Sequence, residues 1–208
     1  YIMKKTEIKG LFENFQKIKG YFKIESIDKN GNVIDTFENH NIVVDTARVV
    51  FAKLISGIST QNVINKLVLG TQGHIGNDIL TPKTEKEGFD HTKTDLFCLR
   101  DPDKKGDTWN ELTFTPSGNM GITSASSVKD GTNDHSTVDI QLTGLDISEP
   151  CISYVFNISA DAFNGSGNGV IYTEAGLFSD DNLIATRVFK GKVKDQTVSF
   201  RITWNLIF

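Results

Sequence analysis

The sequence predicts a mainly β protein: an antiparallel β-sandwich with one packed α-helix and a long loop insertion. Three observations carry this. Apolar and polar residues alternate with a period of two in run after run, the pattern of strands buried on one face. The composition sets 18 Gly and 14 Phe against 4 Pro, a balance that favours tight turns and pleated, packed surfaces. Only one segment places apolar residues at helical spacing. A chain of 208 residues buries about 70% of its unfolded surface, so a single β-rich domain over 1–208 is expected without disulfide or metal staples.

In chain order, Tyr21, Lys23, Glu25 and Ile27 interleave with Phe22, Ile24 and Ser26, and the alternation resumes over 33–37 after Asp28-Lys-Asn-Gly-Asn32. This is a hairpin with an Asn30-Gly31 turn, two residues that tolerate positive φ. Asp28, Asn30 and Asn32 imitate a calcium loop, but the glycine comes too early and Asn39 stands where the closing Glu belongs. Residues 45–56 form the helix. Ala47, Val50, Phe51, Leu54 and Ile55 share one arc, Asp45 is placed to accept bonds from first-turn amides, and Gly57 is placed to end the helix in the left-handed region. Residues 63–69 read as a buried strand that stops at Gly70-Thr-Gln-Gly73.

From 73 to about 110 the chain turns polar, with Pro82, Pro102 and dense charge over 83–87 and 101–107. A peripheral, loop-rich insertion is expected here, with Phe89, Phe97 and Leu99 needing cover and offered as contacts to a neighbouring subunit. Strands return over 111–115, 137–142, 153–160, 170–178, 183–190 and 197–207, separated by turn-forming clusters at 129–131, 165–169 and 179–182. The closing strand is the plainest: Phe200, Ile202, Trp204, Leu206 and Phe208 share one side and Ser199, Arg201, Thr203 and Asn205 the other. The structural core is therefore assigned to Phe51, Leu54, Glu174, Leu177, Phe178, Arg187 and Trp204.

The chemistry-bearing residues exclude more than they suggest. A net charge of −4 argues against nucleic acid as the main partner, because phosphate neutralisation needs clustered Lys and Arg. No apolar run reaches the ~18 residues of a membrane helix, and no classical export signal opens the chain. Cys98 and Cys151 lie in apolar contexts and read as two buried thiols. His40, His74, His91 and His135 have no partner at metal-ligand spacing and read as loop residues. Asp101, Asp103 and Asp107 enclose two lysines, a poor cage for a cation. Gly165-Ser-Gly-Asn-Gly169 precedes a strand and so is a hairpin tip instead of a phosphate loop, and no nucleophile elbow occurs. Asp139, Asp161 and Glu174 could form a carboxylate pair, but Glu174 lies among apolar neighbours. It reads as a structural hydrogen-bond or ion-pair partner, with Arg187 on the next strand as the candidate counter-charge. No catalytic, cofactor or metal residues are assigned.

The helix and its flanks over 41–57, the strand Ile64-Asn-Lys-Leu-Val-Leu-Gly-Thr71, the hairpin opening with Tyr172-Thr-Glu-Ala-Gly-Leu-Phe178, and the ending Val198-Ser-Phe-Arg-Ile-Thr-Trp-Asn-Leu-Ile-Phe208 occur in a particular order and spacing. Together they resemble a widespread set of tailed-bacteriophage virion structural proteins. The likeness covers about half the chain and leaves out 73–135; its most specific part is Glu174-Ala-Gly-Leu-Phe178. It implies a non-enzymatic tail, collar, baseplate or fibre-attachment component, located in the virion and assembled in the host cytoplasm. The implied partners are further copies of the chain, in a ring or trimer, and other tail or neck proteins, with no nucleic acid and no membrane insertion. Residues 1–30 carry a local charge of +3 and the remainder −7, an asymmetry suited to head-to-tail contact, with Lys4, Lys5 and Lys9 near the interface. The alternative reading is a carbohydrate-binding module in which Trp109, Tyr154 or Tyr172 stacks on sugar rings.

Overall fold

The computed structural model describes residues 18–57, 63–84, 91–100, 108–114, 124–128, 136–143, 149–164 and 169–208. Lys4, Lys5, Lys9, Phe89, Asp101, Asp103, Asp107, His135 and the glycine-rich segment 165–168, expected to be a hairpin tip, lie outside the described residues; the flanking β9 and β10 are not neighbours in the sheet, so they do not form a hairpin. The strands are β1 (Lys19–Asp28), β2 (Val33–Val43), β3 (Lys66–Gly70), β4 (His74–Ile75), β5 (Asp78–Pro82), β6 (Trp109–Thr113), β7 (Ser124–Val128), β8 (Ser136–Thr143), β9 (Cys151–Ile158), β10 (Val170–Ser179), β11 (Asn182–Lys194) and β12 (Val198–Ile207). One α-helix, α1 (Asp45–Ile55), and a 3₁₀ turn at Cys98–Arg100 complete the described elements.

Ten strands form one curled sheet in the order β6-β3-β10-β11-β2-β1-β12-β9-β8-β7, and β4 and β5 form a separate small hairpin. Neighbouring strands are antiparallel throughout. The curl happens at β2. Its residues from Val33 to Asn41 pair with β1, whereas Ile42 and Val43 pair with Thr186 and Ala185 of β11. One strand thus belongs to both halves of the sheet, and the halves fold over a shared apolar interior. Phe22 of β1 stacks on Phe189 of β11 at 5.5 Å, and Tyr172 of β10 meets the edge of Phe200 of β12 at 6.3 Å.

The closing strand behaves as its alternation demands. Phe200, Ile202, Trp204 and Leu206 are buried, while Arg201 is exposed and Ser199, Thr203 and Asn205 are partly covered. Trp204 is completely buried, its ring 4.8 Å from that of Phe22 in an edge-on contact. Leu177 and Phe178 are buried, and Phe51 and Leu54 are half-buried, with Phe51 edge-on to Phe208 at 5.5 Å.

Several local expectations are corrected. The first turn is not an Asn-Gly turn with two positive φ angles. Only Gly31 is left-handed there, at φ +86, and the N–H of Gly31 donates to the Asp28 carbonyl at 3.0 Å. The Asp28 carboxylate accepts the N–H groups of Asn30 and Asn32 at 2.8 and 2.9 Å, so the side chain that imitated a calcium ligand ties the turn instead. At the helix, Val44 occupies the cap position without a side-chain bond, and Asp45 is already helical. The Asp45 N–H donates to the His91 carbonyl at 2.7 Å, which removes one free first-turn donor by tertiary contact. Gly57 does close the helix at φ +68, but Ile55 is 88% exposed because Ala47 and Val50 carry the buried seam. Two β elements were not anticipated. The polar β7 is a strand because β8 templates it, and the β4–β5 hairpin lies within the presumed loop region.

Replacing Trp204 with alanine removes the largest side chain in the interior. The expected loss is on the order of 3–5 kcal/mol, read as a lower urea midpoint with the denaturant slope unchanged.

Candidate functional site

Cross-strand register puts Trp109, Gly70, Glu174 and Val188 in one row across β6, β3, β10 and β11. This row lies on the outer face of the sheet, and the segment leading into the 3₁₀ turn packs on top of it. Leu96 and Cys98 are buried there with Val68, Trp109, Phe178, Leu183 and Val188, a second apolar cluster outside the main core. The part of 73–110 around 95–98 is therefore a packed layer and not a peripheral loop.

Glu174 holds that layer in place. The carboxyl is fully buried, Oε2 accepts the N–H of Phe97 at 3.0 Å, and Oε1 accepts the N–H of Cys98 at 2.9 Å. Two successive backbone donors, one part-buried and one buried, are satisfied by one side chain. Gly70 makes the room. A Cβ there would collide with the Cys98 sulfur and come within 2.8 Å of Glu174 Oε1. Gly176, two residues beyond Glu174, does the same for Leu96, whose Cδ2 would sit 3.1 Å from an added Cβ.

The electrostatics suit a structural junction. Burial pushes the Glu174 carboxyl above the ordinary glutamate range, against the lowering effects of the Lys93 charge and the two amide bonds. Burial, with the neighbouring Glu174, pushes the Cys98 thiol far above its usual range, which removes thiolate character from it. The Phe97 ring has the Lys83 and Lys93 ammonium groups each 3.5 Å from its centroid. Phe97 and Leu99 are half-buried within this layer.

Arg187 does not serve as the counter-charge of Glu174. It stands opposite Ala175, on the other face of the sheet, where Nη1 donates to the His40 carbonyl at 2.9 Å and the guanidinium lies over Phe37 at 5.7 Å. The register explains the miss, because neighbours along a strand alternate faces and Glu174 stands opposite Val188. Asp139 and Asp161 do not join Glu174 either. Asp139 is on β8, which is not adjacent to β10, and Asp161 is an exposed residue of the turn before β10. The three rings named for sugar stacking are interior: Tyr172 is fully buried, Tyr154 is 7% exposed and Trp109 8%. Cys98 and Cys151 are both free, the first buried and the second half-buried. No cluster of three or more His, Cys, Asp or Glu that could hold a metal occurs among the described residues. No helix among them is long and apolar enough to cross a membrane.

Sequence reasoning marked Glu174 by its apolar neighbours but could not find its partners, which are backbone amides and leave no side-chain signature. Cys98 was legible only as a buried thiol.

Three measurements check the junction. Glu174→Ala orphans two amides at a cost of about 1–3 kcal/mol each and releases the layer, so in a Cys151→Ser background the Cys98 thiol becomes open to alkylation. Gly70→Ala costs about 1–3 kcal/mol by overpacking against Cys98 and Glu174. A carboxyl whose folded pKa exceeds its unfolded value near 4.5 keeps its proton in the fold, so its contribution to stability falls as pH rises above that value. The urea midpoint of the native chain relative to Glu174→Gln should therefore decline between pH 4.5 and the folded pKa.

Neither a protein-family model, a curated protein nor a solved structure matches the chain, so the reading of this junction rests on its own geometry.

Proposed function

We propose that the chain is a non-enzymatic structural component of a tailed-phage virion, an oligomeric tail, collar or baseplate adaptor to which neighbouring tail proteins or fibres attach. One observation carries the reading. Gly70, Glu174, Gly176 and Phe178, residues of the motifs that resemble phage structural proteins, meet at a single buried junction that fixes backbone to backbone. The groups in it that could do chemistry are buried away from solvent: a carboxyl raised by burial and a thiol kept from ionising, both out of contact with water. Such a junction sets shape, which is what a building block supplies. The carbohydrate-binding alternative loses the three rings on which it was built.

Assembly follows from surface and charge. α1 presents Val49 and Ile55 outwards, with Arg48 and Lys53 exposed on the same helix, an apolar and basic surface for contact. The basic residues 1–30 and the acidic remainder suit a heterologous contact that closes into a ring or trimer.

Native mass spectrometry and sedimentation of the full chain test this. A closed oligomer is expected, weakened by salt because exposed charges are screened over about 10 Å at 0.1 M ionic strength. A strict monomer at high concentration and low salt, together with no copy at a symmetric position in any particle, would overturn the reading.

A further inference from the structure

Between β9 and β10 the chain turns at 159–164, and this turn is held by an unusual set of polar contacts with the end of β11. Phe163 adopts φ +62, a left-handed conformation rare for a bulky side chain. It is kept there by the Tyr172 hydroxyl, which donates to the Phe163 carbonyl at 2.9 Å. Asn164, the next residue, is thereby turned inwards and is only 8% exposed, its Nδ2 donating to the Ala160 carbonyl at 2.6 Å. Lys194, the last residue of β11, is fully buried. Its Nζ donates to Asn164 Oδ1 at 2.8 Å, the Ala160 carbonyl at 3.0 Å and the Asp195 carbonyl at 3.3 Å. The amine is thus held against a side-chain amide, out of water, in contact with three neutral oxygens. The acidic groups that act on it are Asp195, next in sequence, and Asp161, in the turn itself.

We propose that this is a modification site at which Lys194 and Asn164 become joined by an intramolecular isopeptide bond. The lone pair of the neutral amine attacks Asn164 Cγ. The Nζ–Cγ bond forms, the Cγ–Nδ2 bond breaks, and a proton from Nζ passes to Nδ2, which leaves as ammonia. No oxidant or co-reactant is consumed. Burial pushes the Lys194 amine down to about 8, so the neutral, nucleophilic form is populated near neutral pH. An amide is a poor electrophile in water, but well-oriented intramolecular groups reach effective molarities of about 10⁵–10⁸ M. The product also relieves a cost of the fold, since a buried ammonium is replaced by a neutral amide. The bond would tie the turn before β10 to the end of β11, closing a span of 30 residues. The inference is independent of the function proposed above.

The test is the intact mass of the denatured full chain, with tandem mass spectrometry of its tryptic digest. A mass lower than the sequence mass by one ammonia is expected, with a branched peptide joining Asn164 to Lys194. Lys194→Arg restores the full mass. The full sequence mass in the native chain would overturn the proposal. So would loss of ammonia without a branched peptide, or loss that persists in Lys194→Arg, since Asn164 precedes Gly165 and an internal succinimide there has the same mass.

Discussion

The acceptance of two successive backbone amides by the buried Glu174 carboxyl is the constraint on which this half of the structure depends. A sheet face is ordinarily covered by a helix or a second sheet, each satisfying its own backbone. Here the cover is irregular chain, whose donors need partners from below. Glu174 provides them at the point where β3, β10 and β11 lie side by side. The consequence is visible in the strands. β10 is buried at nine of its ten positions, whereas β12 and β9 alternate between buried and partly exposed residues. The first pattern belongs to a strand covered on both faces and the second to strands covered on one.

The other organising feature is β2, the strand shared by the two halves of the sheet. Its pairing with β11 is confined to two residues, and beyond them the strands part. Side chains bridge the opening. Arg187 reaches the His40 carbonyl, Lys192 pairs with Asp35 at 2.5 Å, and Phe37 and Phe189 meet at 5.9 Å. The cationic groups of β11 thus replace part of the missing ladder. The same divergence brings Phe22, Phe189 and Trp204 together in the interior, so the curl and the aromatic core have one geometric cause.

Elsewhere polar side chains fix irregular segments to the sheet. Asn65 holds the β10–β11 turn, accepting the Asp180 N–H at 2.9 Å and donating to its carboxylate at 2.7 Å. The Tyr172 hydroxyl accepts from Asn110 at 2.6 Å while it holds Phe163, and Lys194 gathers three oxygens of the neighbouring turn and its own chain. These buried polar groups give the irregular segments defined positions on the sheet.

The mainly β class, the single helix, the closing strand with Trp204 on its buried side and most strand positions were legible in the sequence. Periodicity and turn chemistry are local and act within a few residues. What the tertiary structure alone decided were the partners. Glu174 bonds to amides 76 and 77 positions away, and backbone donors are the same at every non-proline residue, so no sequence pattern marks them. Arg187 was misassigned because facing depends on strand register, set by distant pairing with bulges in β10 and β11. The helix begins at Asp45 as its pattern indicates, but the cap position falls to Val44, and the Asp45 N–H is met by the distant His91 carbonyl instead of by a side chain. In each case a local preference yielded to a contact that exists only once the chain has closed on itself.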